Sequence, residues 1–187
     1  KPDDDFALNN LGNAFHGMGR ADEALQQWRA ALAANPRNAE AQANLGNALA
    51  GQGDLAPAEV HLREAVRLAP NQASARNNLA NVLALQGKGE EALREYQAAL
   101  QLEPDYAEAH HNLAVLLANN EQRAAAIEHL RAAVRYAPAY AEAHYKLGLL
   151  LAADGQQQAA VASLRRAVEL ADTPAYRDAL AQVSGGR

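Results

Sequence analysis

The stretch Asn44-Leu45-Gly46-Asn47 decides how the chain is read, because it returns at a fixed step. Its counterparts are Asn10-Leu11-Gly12-Asn13, Asn78-Leu79-Ala80-Asn81, Asn112-Leu113-Ala114-Val115 and Lys146-Leu147-Gly148-Leu149, each 34 residues after the last. A fixed period of that length marks an array of helical hairpins, each burying its apolar stripe against its neighbours. The leucine and the small residue after it are the packing element. The asparagines are polar residues that packing alone does not ask for.

Outward from this stretch, the punctuation keeps the same step. Pro36, Pro70, Pro104 and Pro138 each follow an alanine-rich run, where proline stops one helix and readies the next. Gly19, Gly53, Gly87 and Gly155 fall mid-repeat and suit the left-handed position after a helix end. The fourth repeat has Glu121 at that place, and Asn119 and Asn120 before it are expected to take up the turn. Asp3, Asp4 and Asp5 are placed to cap the first helix and meet its positive end. Large and small apolar residues alternate at spacings of three and four, as in Leu45, Gly46, Leu49 and then Ala58, Leu62, Ala65. Two helices per repeat can therefore approach closely and interlock. The repeats run 5–38, 39–72, 73–106, 107–140 and 141–174 without linkers, forming one domain over 1–187. In the fifth, Pro174 comes two residues late, and Tyr176, Ala179, Leu180 and Val183 form a last apolar stripe. That stripe is expected to be a capping helix over about 174–184, with Ser184 onward frayed.

Composition narrows the function classes. The net charge of −5 offers no electrostatic attraction to nucleic acid or an anionic membrane. Without cysteine there is neither a disulfide framework nor a thiolate metal site. No apolar run is long enough to span a bilayer, and no signal-like segment is present, so a cytoplasmic location is favoured. Lys1-Pro2 opens the sequence without Met, which reads as a piece of a longer protein.

The period and its large–Leu–small–large first helix, followed by Ala, a large residue, Ala and Pro on the second, resemble the tetratricopeptide repeat family. The resemblance covers about nine-tenths of the chain. It implies an all-α fold: a right-handed superhelical α-solenoid of five helix-turn-helix repeats plus a C-terminal capping helix. First helices would line a concave groove, and second helices would lie outside.

The asparagines carry the functional expectation. Asn10 and Asn13 are three apart and share a helix face, as do Asn44 with Asn47 and Asn78 with Asn81. Asn112 continues the row, and Asn9 and Asn77 sit beside it. Each costs about 0.5 kcal/mol against alanine inside a helix, so something must offset them. Bonds from repeat to repeat would do so by fixing the stacking angle. Alternatively, a primary amide can grip the C=O and N–H of an extended peptide together. A step of about 10 Å between first helices matches roughly three residues of an extended strand. The repeated Asn-Leu-Gly/Ala-Asn is similar to the repeats of protein O-linked N-acetylglucosamine transferases, where an asparagine row contacts the substrate backbone. That resemblance carries Asn10, Asn44, Asn78 and Asn112 over as a backbone ladder, which Lys146 breaks. The chaperone-tail type of tetratricopeptide domain, which clamps a carboxylate, shares Asn13 and Asn44, but Asn9, Ser74 and Asn78 stand where it needs basic residues.

The last two repeats offer Glu108, His111, Val115, Glu142, Tyr145, Lys146 and Leu149. There Tyr145 and Leu149 are expected to take apolar side chains, and Glu108 and Glu142 to favour a basic one. His110, His111 and His144 lack metal-site spacing and are expected to fill aromatic slots, while His16, His61 and His129 are expected at the surface. Arginines such as Arg63, Arg67 and Arg131 alternate with glutamates as a solvated, paired surface. No phosphate loop, nucleophile arrangement or cofactor motif is present. The expectation is a non-enzymatic scaffold that binds an extended protein or peptide partner. Its alternatives are a substrate-recruiting module of a larger enzyme, such as a glycosyltransferase, and homo-oligomers stacked through end helices.

Overall fold

The computed structural model describes residues 4–185. Among them lie eleven α-helices and no strand. The chain divides into two compact units, one ending at Leu102 and the other beginning at Glu103. The first unit holds α1 (Asp5–Gly17), α2 (Ala21–Ala34), α3 (Ala39–Gly51), α4 (Leu55–Leu68), α5 (Ala73–Leu85) and α6 (Gly89–Leu102). The second holds α7 (Ala107–Asn119), α8 (Arg123–Tyr136), α9 (Ala141–Ala153), α10 (Gln157–Leu170) and α11 (Pro174–Gly185). In the first unit α1–α2, α3–α4 and α5–α6 pair as hairpins, and α3 and α5 also pack on the second helix of the preceding hairpin. In the second, α7–α8 and α9–α10 pair, α9 packs on α8, and α11 lies against α10 and α9.

Close approach within each hairpin comes from the small residue of the repeated stretch. A Cβ added to Gly46 would sit 2.7 Å from Leu62 Cγ and 3.1 Å from the Ala58 carbonyl oxygen. At Gly148 it would sit 2.6 Å from Leu164 Cγ, and at Gly12 2.6 Å from Trp28 Nε1. The helices are near enough that the facing large residues are buried almost completely, as at Leu62, Tyr96, Leu130 and Leu164. Alanines flank them on the second helices, and Ala58, Ala65, Ala92, Ala99, Ala126 and Ala133 are all fully buried. The motif leucines Leu45, Leu79, Leu113 and Leu147 are buried too, whereas Leu11 on α1 is 43% exposed. Phe6 and Met18 on the same helix and its cap are also exposed.

The turn inside each hairpin is one backbone device. At the end of α1, Gly19 N–H donates to the His16 carbonyl and Arg20 N–H to the Phe15 carbonyl, with Gly19 at φ +73°. Gly53, Gly87 and Gly155 repeat it. In the fourth hairpin Glu121 itself takes φ +60°, so Asn119 and Asn120 do not absorb the turn as expected. The reason is register: Glu121 N–H must reach the Ala118 carbonyl and Gln122 N–H the Leu117 carbonyl, whatever side chain stands there. At the chain start, Asp4 caps α1 by accepting from the amides of Phe6 and Ala7. Asp5 instead accepts from the side-chain amides of Asn35 and Asn38 at 2.8 and 2.9 Å. Asp3 lies outside the described residues. Pro174 is the first residue of α11, a position that needs no N–H donor, and this accounts for its late register.

Glu121→Gly removes the left-handed strain of a residue with a Cβ, and it is expected to stabilise the protein by about 1 kcal/mol. A urea denaturation midpoint that fails to rise would contradict the assignment of that strain.

Candidate functional site

In the first unit the asparagines separate into two groups. Asn44 Nδ2 donates to Asn9 Oδ1 at 3.0 Å and to Asn13 Oδ1 at 2.8 Å, reaching back from α3 to α1. Asn13 Oδ1 also accepts from Trp28 Nε1 at 3.0 Å, and Asn13 Nδ2 donates to Glu40. Tyr96 donates its hydroxyl to Asn81 Oδ1 at 2.6 Å. Asn9 and Asn77 are buried, at 1% and 0% exposed. These residues are therefore framework: Asn9 and Asn77 lie beyond a peptide's reach, and the amides of Asn13, Asn44 and Asn81 hold helices together. Asn10 and Asn47 are exposed and Asn78 is half-buried. Among the described residues, none of these three has a hydrogen-bond partner inside the protein.

A covariation between repeats explains the split. Asn13 faces Trp28 and Asn81 faces Tyr96, each pairing an amide oxygen with the polar tip of a buried ring. Where the large residue is Leu130 or Leu164, the amide position carries Val115 or Leu149. Only the second repeat breaks the rule: Asn47 stands opposite Leu62, which offers no donor. This signal was present in the sequence, in the pairing of two positions fifteen residues apart, and the motif read alone did not reveal it.

Asn47 and Asn81 border a cleft of about 520 Å³ between α1, α2, α3 and α5. Its apolar walls are Leu25, Trp28 and Leu85, with His16 at one side. Leu85 is 68% exposed, so this wall faces solvent.

In the second unit, Glu108 and Glu142 are exposed and Asn112 and Lys146 half-buried. His111 is buried, and its ring lies 5.0 Å from that of Tyr140. Tyr145 stacks on Tyr176 of α11 at 4.6 Å, so one face of its ring is already covered. Leu149 lines a cleft of about 180 Å³ with Val115, Leu130 and Lys146. Burial, together with the nearby carboxylates Glu142 and Glu108, pushes the Tyr140 hydroxyl up to about 12 and keeps it protonated.

The remaining histidines do structural work that the sequence reading missed. Gln42 Nε2, Arg76 Nε, His110 Nε2 and His144 Nε2 occupy equivalent positions and each donates to a proline carbonyl: Pro36, Pro70, Pro104 and Pro138, at 3.0 to 3.1 Å. In three of them the other polar atom meets the facing second helix: Gln42 with His61 at 2.6 Å, Arg76 with Glu95 at 2.8 Å and His110 with His129 at 2.9 Å. His61 and His129 are thus half-buried partners rather than surface residues. Among the described residues no group of three or more His, Cys, Asp or Glu could hold a metal ion, and no helix is long and apolar enough to cross a membrane. The second-helix arginines pair with glutamates at the surface, as Arg67 does with Glu64 and Arg131 with Glu128.

Two outcomes follow from this geometry. Asn44→Ala strands the buried Asn9 oxygen and is expected to cost about 1–2 kcal/mol, whereas Asn78→Ala gains helix propensity and costs nothing. Equal denaturation midpoints for the two variants would refute the division of the row. Burial holds His129 and His144 below their ordinary value of 6.5. The unfolded chain therefore takes up those protons first, and stability is full above pH 6.5 and falls as the pH drops toward the folded values. His144→Gln keeps the bond to Pro138, as Gln42 does to Pro36, and should flatten part of the acid loss in urea titrations at neutral and mildly acidic pH.

Comparison with known proteins agrees with this architecture. No curated relative matches the chain. Solved structures do, at identities that speak to fold. A thermophilic TPR protein from Thermus thermophilus is 24% identical with a TM-score of 0.78, over 97% of this chain and 100% of that one. MamA from Desulfovibrio magneticus is 23% identical with a TM-score of 0.75, over 89% and 94%. YrrB, described as a TPR protein with an unusual peptide-binding site, is 22% identical with a TM-score of 0.71, over 97% and 93%. Family profiles described as TPR repeat match residues 12–53, 80–121 and 122–155, and others described as tetratricopeptide repeat match 38–69 and 141–174. With its 34-residue hairpins matched over residues 12–69 and 80–174, the chain belongs to the tetratricopeptide repeat family.

Proposed function

We propose that the chain is a non-enzymatic interaction scaffold that holds an extended segment of a protein partner, and that Asn47 and Asn78 read the backbone of that segment. The observation that carries this is the amide of Asn47. It faces Leu62 where its counterparts Asn13 and Asn81 face ring donors, so no framework bond accounts for it. Asn78 corresponds to Asn44, but Ala43 stands at the position equivalent to Asn9, and Asn78 too stays unbonded among the described residues. Both amides keep a donor and an acceptor for a peptide unit. The neighbouring cleft, with Leu25, Trp28 and Leu85 on its walls, accepts an apolar side chain from the same segment. YrrB is described as having a peptide-binding site, which fits this use of the fold. In the second unit, the exposed Glu108 and Glu142 and the half-buried Asn112 and Lys146 are among the polar groups on the corresponding first helices.

Each amide contact contributes about 0.5–1.5 kcal/mol net against the cost of ordering the peptide, so affinity on the order of micromolar is expected. Capture of a peptide library by the intact chain should weaken about tenfold in the Asn47→Ala/Asn78→Ala variant. Equal capture by both proteins would overturn the backbone-reading role, and no capture by either would overturn the scaffold reading itself.

A further inference from the structure

The buried ring of His111 has one nitrogen that the fold leaves unused. Its Nδ1 lies 3.2 Å from Asn112 Oδ1 and 3.2 Å from the Tyr140 hydroxyl. The amide oxygen only accepts, so Nδ1 carries the proton and shares it between the two neighbours. Nε2 is then a bare lone pair. It has no hydrogen-bond partner, although the side chain is only 7% exposed. The nearest carboxylate atom is Glu142 Oε1, 3.9 Å away, too far for a hydrogen bond and itself an acceptor. Two acceptors this far apart are satisfied together by a donor that reaches both from one side of the gap. A carboxylate as one of the pair favours a donor with positive charge.

The surroundings fit a cation as well. Tyr140 lies against His111, and Glu142 is close enough to both Tyr140 and Tyr176 to raise their hydroxyls. Tyr176 comes from α11 and stacks on Tyr145, one turn along α9 from Glu142. Aromatic faces beside a carboxylate attract a cation through the ring quadrupole and by direct charge. Glu108, at the equivalent position on α7, adds a second negative charge near Tyr140. Lys146 is one turn from Glu142 on α9 yet makes no ion pair with it among the described residues, and its side chain borders the apolar cleft instead. No lysine or arginine among the described residues therefore neutralises Glu142.

We propose that His111 Nε2, Glu142 and the rings of Tyr140, Tyr145 and Tyr176 form a receiving site for a basic side chain of the bound segment. This rests on the scaffold reading above and adds a selectivity to it: the second unit takes a lysine or arginine and rejects an acidic residue. The helix that closes the array, α11, gains a binding role by supplying Tyr176.

The test uses the full chain and two short extended peptides that differ only at one central residue, Lys or Leu. Binding is followed by fluorescence anisotropy and by the imidazole nitrogen resonances of labelled protein. The Lys peptide is expected to bind about tenfold more tightly, with the gap shrinking as salt rises. It should also shift the Nε2 resonance of His111. Glu142→Gln, at an exposed position, should erase the preference, while Glu169→Gln, paired with Arg166 on α10, should leave it intact. Equal binding of the two peptides, or a preference that survives Glu142→Gln, would overturn the site and leave the scaffold standing. Failure of both peptides to bind would overturn both.

Discussion

Everything in this protein depends on how closely the two helices of a hairpin approach. The approach is set by one small residue, Gly46 and its counterparts, lying against one large residue, Leu62 and its counterparts. With the Cβ absent or minimal, the large side chain passes beneath the facing backbone and is sealed from water. Dense alanine on the second helix extends the contact on either side, at Ala58 and Ala65 in the second hairpin. A chain this poor in aromatics obtains its core from many small, close contacts instead of a few large ones.

That closeness decides where polarity is needed. A leucine in the sealed position asks nothing of its neighbours. A tryptophan or tyrosine there brings a polar tip into the same space, and the tip needs an acceptor. Asn13 and Asn81 supply it, and Asn44 then braces Asn13 from the next hairpin. Much of the asparagine row is therefore a consequence of packing. Asn47 opposite Leu62 stands outside that logic, which is why we propose that it serves a partner rather than the fold.

The junctions between hairpins show the same economy with different chemistry. An orphan proline carbonyl must be met by a donor six residues later, and glutamine, arginine and histidine all serve. The geometry is fixed while the residue type is free. Two of these donors are histidines, His110 and His144, and His110 faces a further histidine, His129. Burial lowers His144 in this device and His61 and His129 facing it, so the same structural feature also makes both units sensitive to acid.

The hairpins, their period, the turn glycines and the sealed residues were all legible in the order of the amino acids. Those features are local or repeated, so each of five copies reports the same backbone requirement and the pattern outlasts single departures such as Glu121 and Pro174. The pairing of Asn13 with Trp28 and Asn81 with Tyr96 also held a clue to which amides are framework. Other features were settled only by the packed helices: that Asn44 turns back to Asn9, that His111 is buried with one nitrogen unmet, and that Tyr176 covers Tyr145. The difference is one of range. Burial follows from periodicity along one helix, but a hydrogen-bond partner is chosen by distances between side chains on different helices, and those are fixed only once the helices have packed.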